Sequence, residues 1–352
     1  MTELFPAFLD DLLCDPEVGA LVGTEADLKA MLAFEVALGE AAAAQGFIPA
    51  EHASMLRSQA ASFAPDVLSL QHATLKDGVV IPDYVRQLRT HVGGDAAKSV
   101  HFGATSQDVI DTALALKLRD IFFLFEARLT GVAALLEGLL ETWGETALAG
   151  RTRMQSAIPI TASDRLRVWL AGVTQALDAL EAVRRENLIL SLAGAAGTGE
   201  KFAGKVDAVR QSMAEALGLS VPAYVPHAAR SRIAGLGNWL SLVTGALGKI
   251  GQDVALMAQN EIAEIALSGG GASSAMPHKQ NPVRAEVLVT LARFNATQVS
   301  ALHQSLIHEQ ERSGAAWTLE WLVLPQMLNA TGVALKHAAS LLSGIKRMGK
   351  AV

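Results

Sequence analysis

The sequence predicts an all-α protein built around a bundle of long helices. Apolar residues make up 51% of the 352 residues, whereas aromatic residues make up 5%. The apolar content is therefore mostly Ala, Leu and Val, which suits packed helices better than a β-sandwich. In addition, five long segments carry apolar residues at three- and four-residue spacing, and few segments show the alternation typical of strands.

We expect a small N-terminal helical domain over residues 1–100. Thr24 and Asp27 resemble a capping box that opens an Ala-rich helix, which Gly46 and Pro49 would end. From there to Gly94, prolines and glycines interrupt the pattern at short intervals, which predicts several short helices.

A central domain of long helices is expected over residues 101–346, with a short tail at 347–352. The five predicted helices are Ser106 to about Ala147, Thr161 to about Leu192, Ala228 to Leu267, Pro282 to about Arg312 and Ala316 to about Lys346. A helix of about 40 residues would span roughly 60 Å, which is longer than a compact domain of this size needs. We therefore expect a homo-oligomer in which other copies of the chain cover part of these helices.

Charge and composition argue against several classes of partner. The formal net charge is −6 and no basic run is present, which argues against a nucleic-acid surface. Acidic Glu3, Asp10 and Asp11 replace the basic start of a signal peptide, and the uncharged run Ile233–Gly248 is too short for a membrane span. Cys14 is the single cysteine, so no intrachain disulfide forms. We expect a cytoplasmic protein that binds neither nucleic acid nor membrane.

The segment Gly269 to Arg284 is the first candidate for chemistry. Three consecutive glycines carry a high entropic cost on ordering, and Pro277 and Pro282 cannot continue a helix. These features predict a loop whose polar side chains are not needed for packing and can therefore bind or react with a substrate. The alternative is an ordinary connection between two helices. Candidate residues in this loop are Ser273, Ser274, Met276, Lys279 and Asn281.

The string SSAMPHKQNP within this loop resembles the SSxMPxKxNP motif of the fumarase/aspartase superfamily. That superfamily includes argininosuccinate lyase, adenylosuccinate lyase and the carboxymuconate cycloisomerases. The resemblance implies a mobile loop in which Ser273 exchanges the proton next to a carboxylate, while Lys279 and Asn281 hold the developing enediolate. It implies substrate contacts for Ser274 and Met276. No Cys/His cluster or nucleotide loop in the sequence calls for a metal or coenzyme.

A second motif, HFGATSQDVIDT, spans His101 to Thr112 and resembles the first conserved segment of the superfamily. It places a glycine turn and the pair Thr105 and Ser106 at the start of a predicted helix. Free N–H groups and the helix dipole make such a terminus an anion site. Capping of the helix is the plainer role of these hydroxyls. We expect Thr105 and Ser106 to bind substrate, and His101 is either a further binding residue or a hydrogen-bonded structural one.

A third motif, GRTRMQSAIPIT, spans Gly150 to Thr161 and resembles the segment GRTHxQxAxPxT of the lyases. Arg151 and Gln155 are retained, but Arg153 replaces the histidine that assists the leaving group in many lyases. A drifted, inactive relative is one explanation. A better one is that the reacting group is a carboxylate, which is ionised at neutral pH and needs no proton donor.

Lactone-forming cycloisomerases of the superfamily meet that condition, because a substrate carboxylate adds to its own double bond. A tricarboxylate substrate would also give the guanidinium of Arg153 an anionic partner. The stretch His308 to Trp321 resembles the carboxymuconate cycloisomerases as well, and Gly194 to Thr198 resembles a structural turn. The alternatives are a lyase of the adenylosuccinate or argininosuccinate type, which releases fumarate, and a catalytically silent scaffold like the lens crystallins.

The resemblance also implies a homotetramer in which the three motifs of one site come from three different subunits. Related chains usually continue past the position of Met348 into a further small helical domain, whereas this sequence stops at Val352. Either a naturally short chain or a truncation would explain that difference.

Overall fold

The computed structural model describes residues 6–269, 271–272, 276 and 280–350. Within these residues the architecture is all-α, as predicted, with three small two-stranded sheets. The first helices are α1 (Asp10–Leu13), α2 (Pro16–Val22), α3 (Thr24–Ala44), α4 (Ala50–Ala60), α5 (Val67–Asp77) and α6 (Ile81–Val92). Short 3-10 helices lie at Ala7–Leu9, Asp95–Ser99 and Glu200–Phe202.

From Ser106 onward the chain is dominated by long helices. These are α7 (Ser106–Trp143), α8 (Ala162–Asn187), α10 (Ser231–Met257), α11 (Val283–Gln304) and α12 (Gly314–Ser343), with the shorter α9 (Val206–Leu217) between α8 and α10. The strands are β1 (Ala147–Thr152), β2 (Gln155–Thr161), β3 (Ile265–Leu267), β4 (Gly271–Ala272), β5 (Gln280–Asn281) and β6 (Ile345–Met348). The three pairs, β1 with β2, β3 with β6 and β4 with β5, are all antiparallel.

The five predicted long helices exist, but each is shorter than its apolar pattern suggested. The helix from Ala228 ends at Met257 rather than Leu267, and Ile265–Leu267 forms β3 instead. Similarly, α12 ends at Ser343 because Ile345–Met348 pairs with β3. The predicted ends at Ala147, Leu192 and Arg312 also lie outside α7, α8 and α11, respectively.

The predicted capping box at Thr24 is wrong. Gly23 occupies the N-cap of α3 and no side chain bonds the free amides there, so Thr24 is the first residue of the helix. The predicted end is correct, because α3 stops at Ala44 and Gly46 follows in a left-handed conformation with φ of 76°.

The long helices run back and forth along one axis. Between α10 and α11, glycines allow a close approach: a Cβ on Gly248 would lie 2.5 Å from the Cβ of Ala292, and one on Gly251 would lie 2.5 Å from the carbonyl oxygen of Ala285. One core cluster of buried apolar residues fills the space among α7, α8, α10, α11 and α12. A second lies among α3, α6, α9 and the first turns of α7.

Within the described residues, no helix is both long and apolar enough to cross a membrane.

Candidate functional site

The N-terminus of α7 begins with the predicted binding pair. Thr105 is the N-cap, in an extended conformation, and Ser106 is the first helical residue. The backbone N–H of Thr105 donates to the Asp108 carboxylate over 3.0 Å, which is half of a capping box. Asp108 caps this helix N-terminus from inside the protein. Thr105 and Ser106 are both half-buried, so they remain accessible to a ligand from solvent. Capping and anion binding are therefore compatible here.

Asp108 holds three segments together beneath this terminus. Its fully buried carboxylate accepts from the backbone N–H groups of Ala193 and Gly194 at 2.9 and 3.0 Å. It also faces the hydroxyl of Ser191 at 3.4 Å and Nε2 of His227 at 2.7 Å. A carboxylate with this many donors fixes the turn before α7 against the segment after α8. The turn around Gly194 thus supports the candidate site from within the same chain.

Arg312 is a candidate site residue that sequence reasoning did not single out. Its Nε donates to Oε1 of Gln107 over 2.9 Å, and its Nη2 donates to the carbonyl of Ala195 over 3.3 Å. The side-chain nitrogen Nε2 of Gln107 in turn donates to the carbonyl of His227 over 2.7 Å. A cation therefore lies beside the first turn of α7, where the helix dipole also attracts anions. The sequence signal that could have pointed to Arg312 is the resemblance of the stretch His308 to Trp321 to the carboxymuconate cycloisomerases.

A buried ion cluster supports the same end of α7 one turn further on. The guanidinium of Arg230 donates to Asp111 at 2.5 and 3.2 Å and to Oε1 of Glu320 at 2.8 Å, with a further short bond from Nη2 to Oε2. Arg232 lies 3.6 Å from Asp111. Burial would raise the pKa of Asp111, but the two guanidinium groups outweigh it and hold that pKa below its usual value. The cluster fixes α7, α10 and α12 to one another.

A cavity of about 290 Å³ lies on one side of this ion cluster. Its walls are mostly apolar and include Trp317 and Trp321, whose ring centroids are 4.7 Å apart. None of the sequence-predicted site residues that the structure describes lines it. The cavity is therefore distinct from the terminus at Thr105.

His101 is held by a buried carboxylate on α3. Its Nδ1 lies 2.6 Å from Oε1 of Glu35, which is fully buried. His101 itself has a φ of 64°, in the left-handed region that non-glycine residues rarely occupy. It is thus a hydrogen-bonded residue in a constrained turn, four residues before the N-cap at Thr105.

The third motif forms a β-hairpin, which the sequence did not predict. Thr152 pairs with Gln155, and the two-residue turn between them consists of Arg153 and Met154, with φ of 49° and 68°. Two positive φ values suit the twist of a tight hairpin but are uncommon outside glycine and asparagine. This turn exposes Arg153 at the tip of the hairpin.

Arg151 points back toward the body of the protein. Its Nη1 donates to the hydroxyl of Ser156 over 3.2 Å, and its Nη2 lies 3.8 Å from Oε1 of Glu264. The buried Glu264 also accepts from the backbone N–H of Ala149 at 3.1 Å and lies 3.8 Å from Arg165. Arg151 is therefore partly engaged in anchoring the hairpin.

The predicted catalytic loop is described in part. Ser273, Ser274 and Lys279 lie outside the described residues. Asn281 is half-buried and pairs with Gly271, while the side chain of Met276 is 42% exposed. The short ladder of β4 with β5 therefore joins the two ends of this loop.

The predicted site residues fall at opposite ends of the bundle. His101, Thr105 and Ser106 lie at the start of α7, whereas the hairpin follows its last turn. The 38 residues of α7 separate the two by roughly 57 Å. Asn281 belongs to the hairpin end, because α11 begins there and runs antiparallel to α10. Among the described residues, one chain therefore does not bring the start of α7 together with the hairpin and Asn281.

Comparison with known proteins gives a consistent family. The profile described as Lyase matches residues 18–299. The 3-carboxy-cis,cis-muconate cycloisomerase of Pseudomonas aeruginosa is 36% identical over 325 residues, which cover 91% of this chain and 71% of that protein. The chain belongs to the fumarase/aspartase superfamily of lyases.

Two further relatives show the range of the superfamily around this chain. The crystal structure of the 3-carboxy-cis,cis-muconate lactonizing enzyme from Pseudomonas putida has a TM-score of 0.91 and 32% identity, covering 97% of this chain and 77% of that one. Nitrosuccinate lyase of Streptomyces davaonensis is 37% identical over 350 residues, covering 93% of this chain and 72% of that protein. Cycloisomerases and lyases of the superfamily are therefore similar to this chain at nearly the same sequence identity.

Proposed function

We propose that the protein is a cycloisomerase that converts 3-carboxy-cis,cis-muconate to the γ-lactone 4-carboxymuconolactone, a step of the β-ketoadipate route of protocatechuate breakdown. The observation that carries this proposal is Arg153, which stands at the tip of the hairpin where many lyases have a histidine. A guanidinium suits a carboxylate and is a poor proton donor. The cycloisomerase relatives of P. aeruginosa and P. putida support the same choice.

The reaction needs one proton and no cofactor. A carboxylate oxygen of the substrate forms a C–O bond with one carbon of a double bond, and the π electrons take a proton at the neighbouring carbon, beside another carboxylate. One proton is added and no group leaves, so the product carries one negative charge fewer than the substrate. Ser273 is proposed as the general acid, and Lys279 stabilises its alkoxide until solvent restores the proton.

The remaining residues bind and orient the three carboxylates. Asn281 is proposed to polarise the carboxylate next to the protonated carbon, with Ser274 and Met276 lining the loop side. Arg151, Arg153 and Gln155 are proposed to contact the substrate from the hairpin, and His101, Thr105 and Ser106 from the start of α7. Arg312 adds a cation beside that terminus.

We further propose a homotetramer with shared sites. The start of α7 and the hairpin lie at opposite ends of the bundle, roughly 57 Å apart. If both contact one substrate, each site needs residues from at least two copies of the chain. Large apolar side chains on the long helices are more than half exposed in the single chain: Phe123 at 74%, Val168 at 58%, Leu242 at 71% and Leu322 at 63%. Neighbouring copies would cover them. The proposed compartment is the cytoplasm.

A substrate comparison tests the proposal. We expect loss of the muconate absorbance from 3-carboxy-cis,cis-muconate, an activity that survives dialysis against a chelator, and no fumarate from adenylosuccinate or argininosuccinate. Fumarate released from either succinyl substrate, with no effect on the muconate, would instead establish the lyase alternative. Nitrosuccinate belongs in the same panel because one lyase relative is named for it. No turnover of any substrate would favour a silent scaffold.

A further inference from the structure

We propose that Glu35 is a positioning residue, which holds His101 as an imidazolium cation so that the exposed edge of the ring binds a substrate carboxylate. This inference rests on the proposed function, since a tricarboxylate is the kind of ligand that needs a further cation here. Glu35 lies on α3, 66 residues before His101 in the sequence. Neither the superfamily motifs nor their spacing single it out.

The burial of Glu35 determines the charge of its partner. Its side chain is fully inaccessible, and Oε1 lies 2.6 Å from Nδ1 of His101. Among the described residues no other cation pairs with this carboxylate, and Oε2 has no hydrogen-bond partner. A buried carboxylate without a positive partner is strongly unfavourable, so the pair is most stable with the proton on the imidazole.

The backbone fixes the direction of the ring. Phe102 stacks on Phe47 with ring centroids 5.8 Å apart, and Gly103 follows with a φ of 69°. A Cβ on Gly103 would lie 2.7 Å from Phe202, so the chain can make this turn only with glycine. The His101 side chain is 15% exposed. Its Nε2 makes no hydrogen bond to a described residue and is not buried. Nε2 is therefore a donor that remains available to a ligand.

The charges around His101 set its titration. Burial alone would lower the pKa of His101, and Arg89 acts in the same direction. The carboxylates of Glu35 and Asp108 outweigh both, so the pKa lies above its usual value. A raised histidine pKa means that the cation persists to higher pH than on an ordinary imidazole and is lost as the pH rises through that pKa. Binding of an anion at His101 should weaken on the alkaline side.

The first experiment needs no substrate. Ring resonances of ¹³C-histidine-labelled protein are followed against pH, and His101 is identified as the signal lost in His101→Gln. In Glu35→Gln we expect the midpoint of this signal to fall by about one unit or more. The matched control is Glu126→Gln, which removes a carboxylate paired with Arg184 on the outside of the bundle and should leave the midpoint unchanged.

Glu35→Asp is the second variant, because it keeps the charge and retracts it by one methylene. We expect a smaller fall in the same direction. An unshifted His101 midpoint in both variants would overturn the inference. This arm stands even if the protein acts on a different substrate, because it measures the histidine directly.

The second experiment uses turnover of 3-carboxy-cis,cis-muconate. In Glu35→Gln we expect KM to rise about tenfold near pH 8, with a smaller change in kcat, and the alkaline increase in KM to begin at a lower pH. In a His101→Gln background the same substitution should add nothing to KM. A general loss of kcat with an unchanged pH profile, or additive effects in the double variant, would show that Glu35 has only a structural role. Absence of turnover by the unmodified protein would instead refute the proposed function.

Discussion

At the scale of single residues, Arg153 separates this chain from the lyases that carry histidine in the same motif. We predict that Arg153→His lowers kcat/KM for the muconate about ten- to a hundredfold, because imidazole is partly neutral at pH 7 and lacks the paired donors of a guanidinium. Steady-state kinetics of the purified variant measure this. Full retention of turnover, or a gain of fumarate-releasing activity, would show that Arg153 does not bind a carboxylate.

Arg312 offers a second test at this scale. Arg312→Lys keeps the positive charge but cannot reproduce the two contacts that Nε and Nη2 make with Gln107 and Ala195. We predict a rise in KM of roughly tenfold with little change in kcat, since a binding group is misplaced and the proton donor is untouched. Arg185→Lys, at an exposed position near the end of α8, is the matched control. An unchanged KM in Arg312→Lys would remove Arg312 from the site.

At the scale of secondary-structure elements, the start of α7 depends on Asp108. We predict that Asp108→Asn lowers the free energy of unfolding by about 3–5 kcal/mol, because buried donors lose their charged acceptor. Denaturant unfolding measures this loss. Asp164→Asn is the control: Asp164 occupies the same position in the capping box of α8 but is exposed, so its replacement should cost much less. Equal losses in both variants would mean that Asp108 acts only as a cap.

The elements also show what the sequence could predict. Apolar spacing located all five long helices, because that pattern is local. It extended α10 through Leu267, since the apolar residues of β3 suit a helix equally well and their true partner, β6, lies about 80 residues away. The hairpin at Arg153 and Met154 was missed because its turn lacks the Asn-Gly or Asp-Gly pair that normally indicates one.

Candidate site residues were predictable for a different reason. The three motifs are continuous strings whose residue types match a known chemistry, so Thr105 and Arg153 could be named from the sequence. Glu35 contacts His101 across a long sequence distance and lies in no motif, so nothing local pointed to it. Arg312 does lie in a stretch that resembles the cycloisomerases, but its contact with Gln107, about 200 residues away, becomes visible only in the fold.

At the scale of the whole molecule, the separation of the motifs predicts complementation between chains. Thr105 lies at the start of α7, whereas β4 and β5, which precede and follow Ser273 in the sequence, lie at the other end of the bundle. When the inactive variants Ser273→Ala and Thr105→Ala are unfolded, mixed and reassembled, some sites should receive one intact copy of each end, and part of the activity should return. Thr105→Ala mixed with His101→Asn is the control, because both substitutions lie at the start of α7 and no site regains an intact end. Mixtures as inactive as their parents would place each site within one chain.

The most direct test of the central claim is to run the reaction in D₂O and identify the product by NMR. The proposed chemistry predicts that 3-carboxy-cis,cis-muconate yields 4-carboxymuconolactone with one deuterium on the carbon beside a carboxylate and with no released fragment. Ser273→Ala should lower kcat far more than KM, because it removes the proposed proton donor. A product without the lactone ring, a lactone without deuterium, or an undiminished kcat in Ser273→Ala would contradict the account.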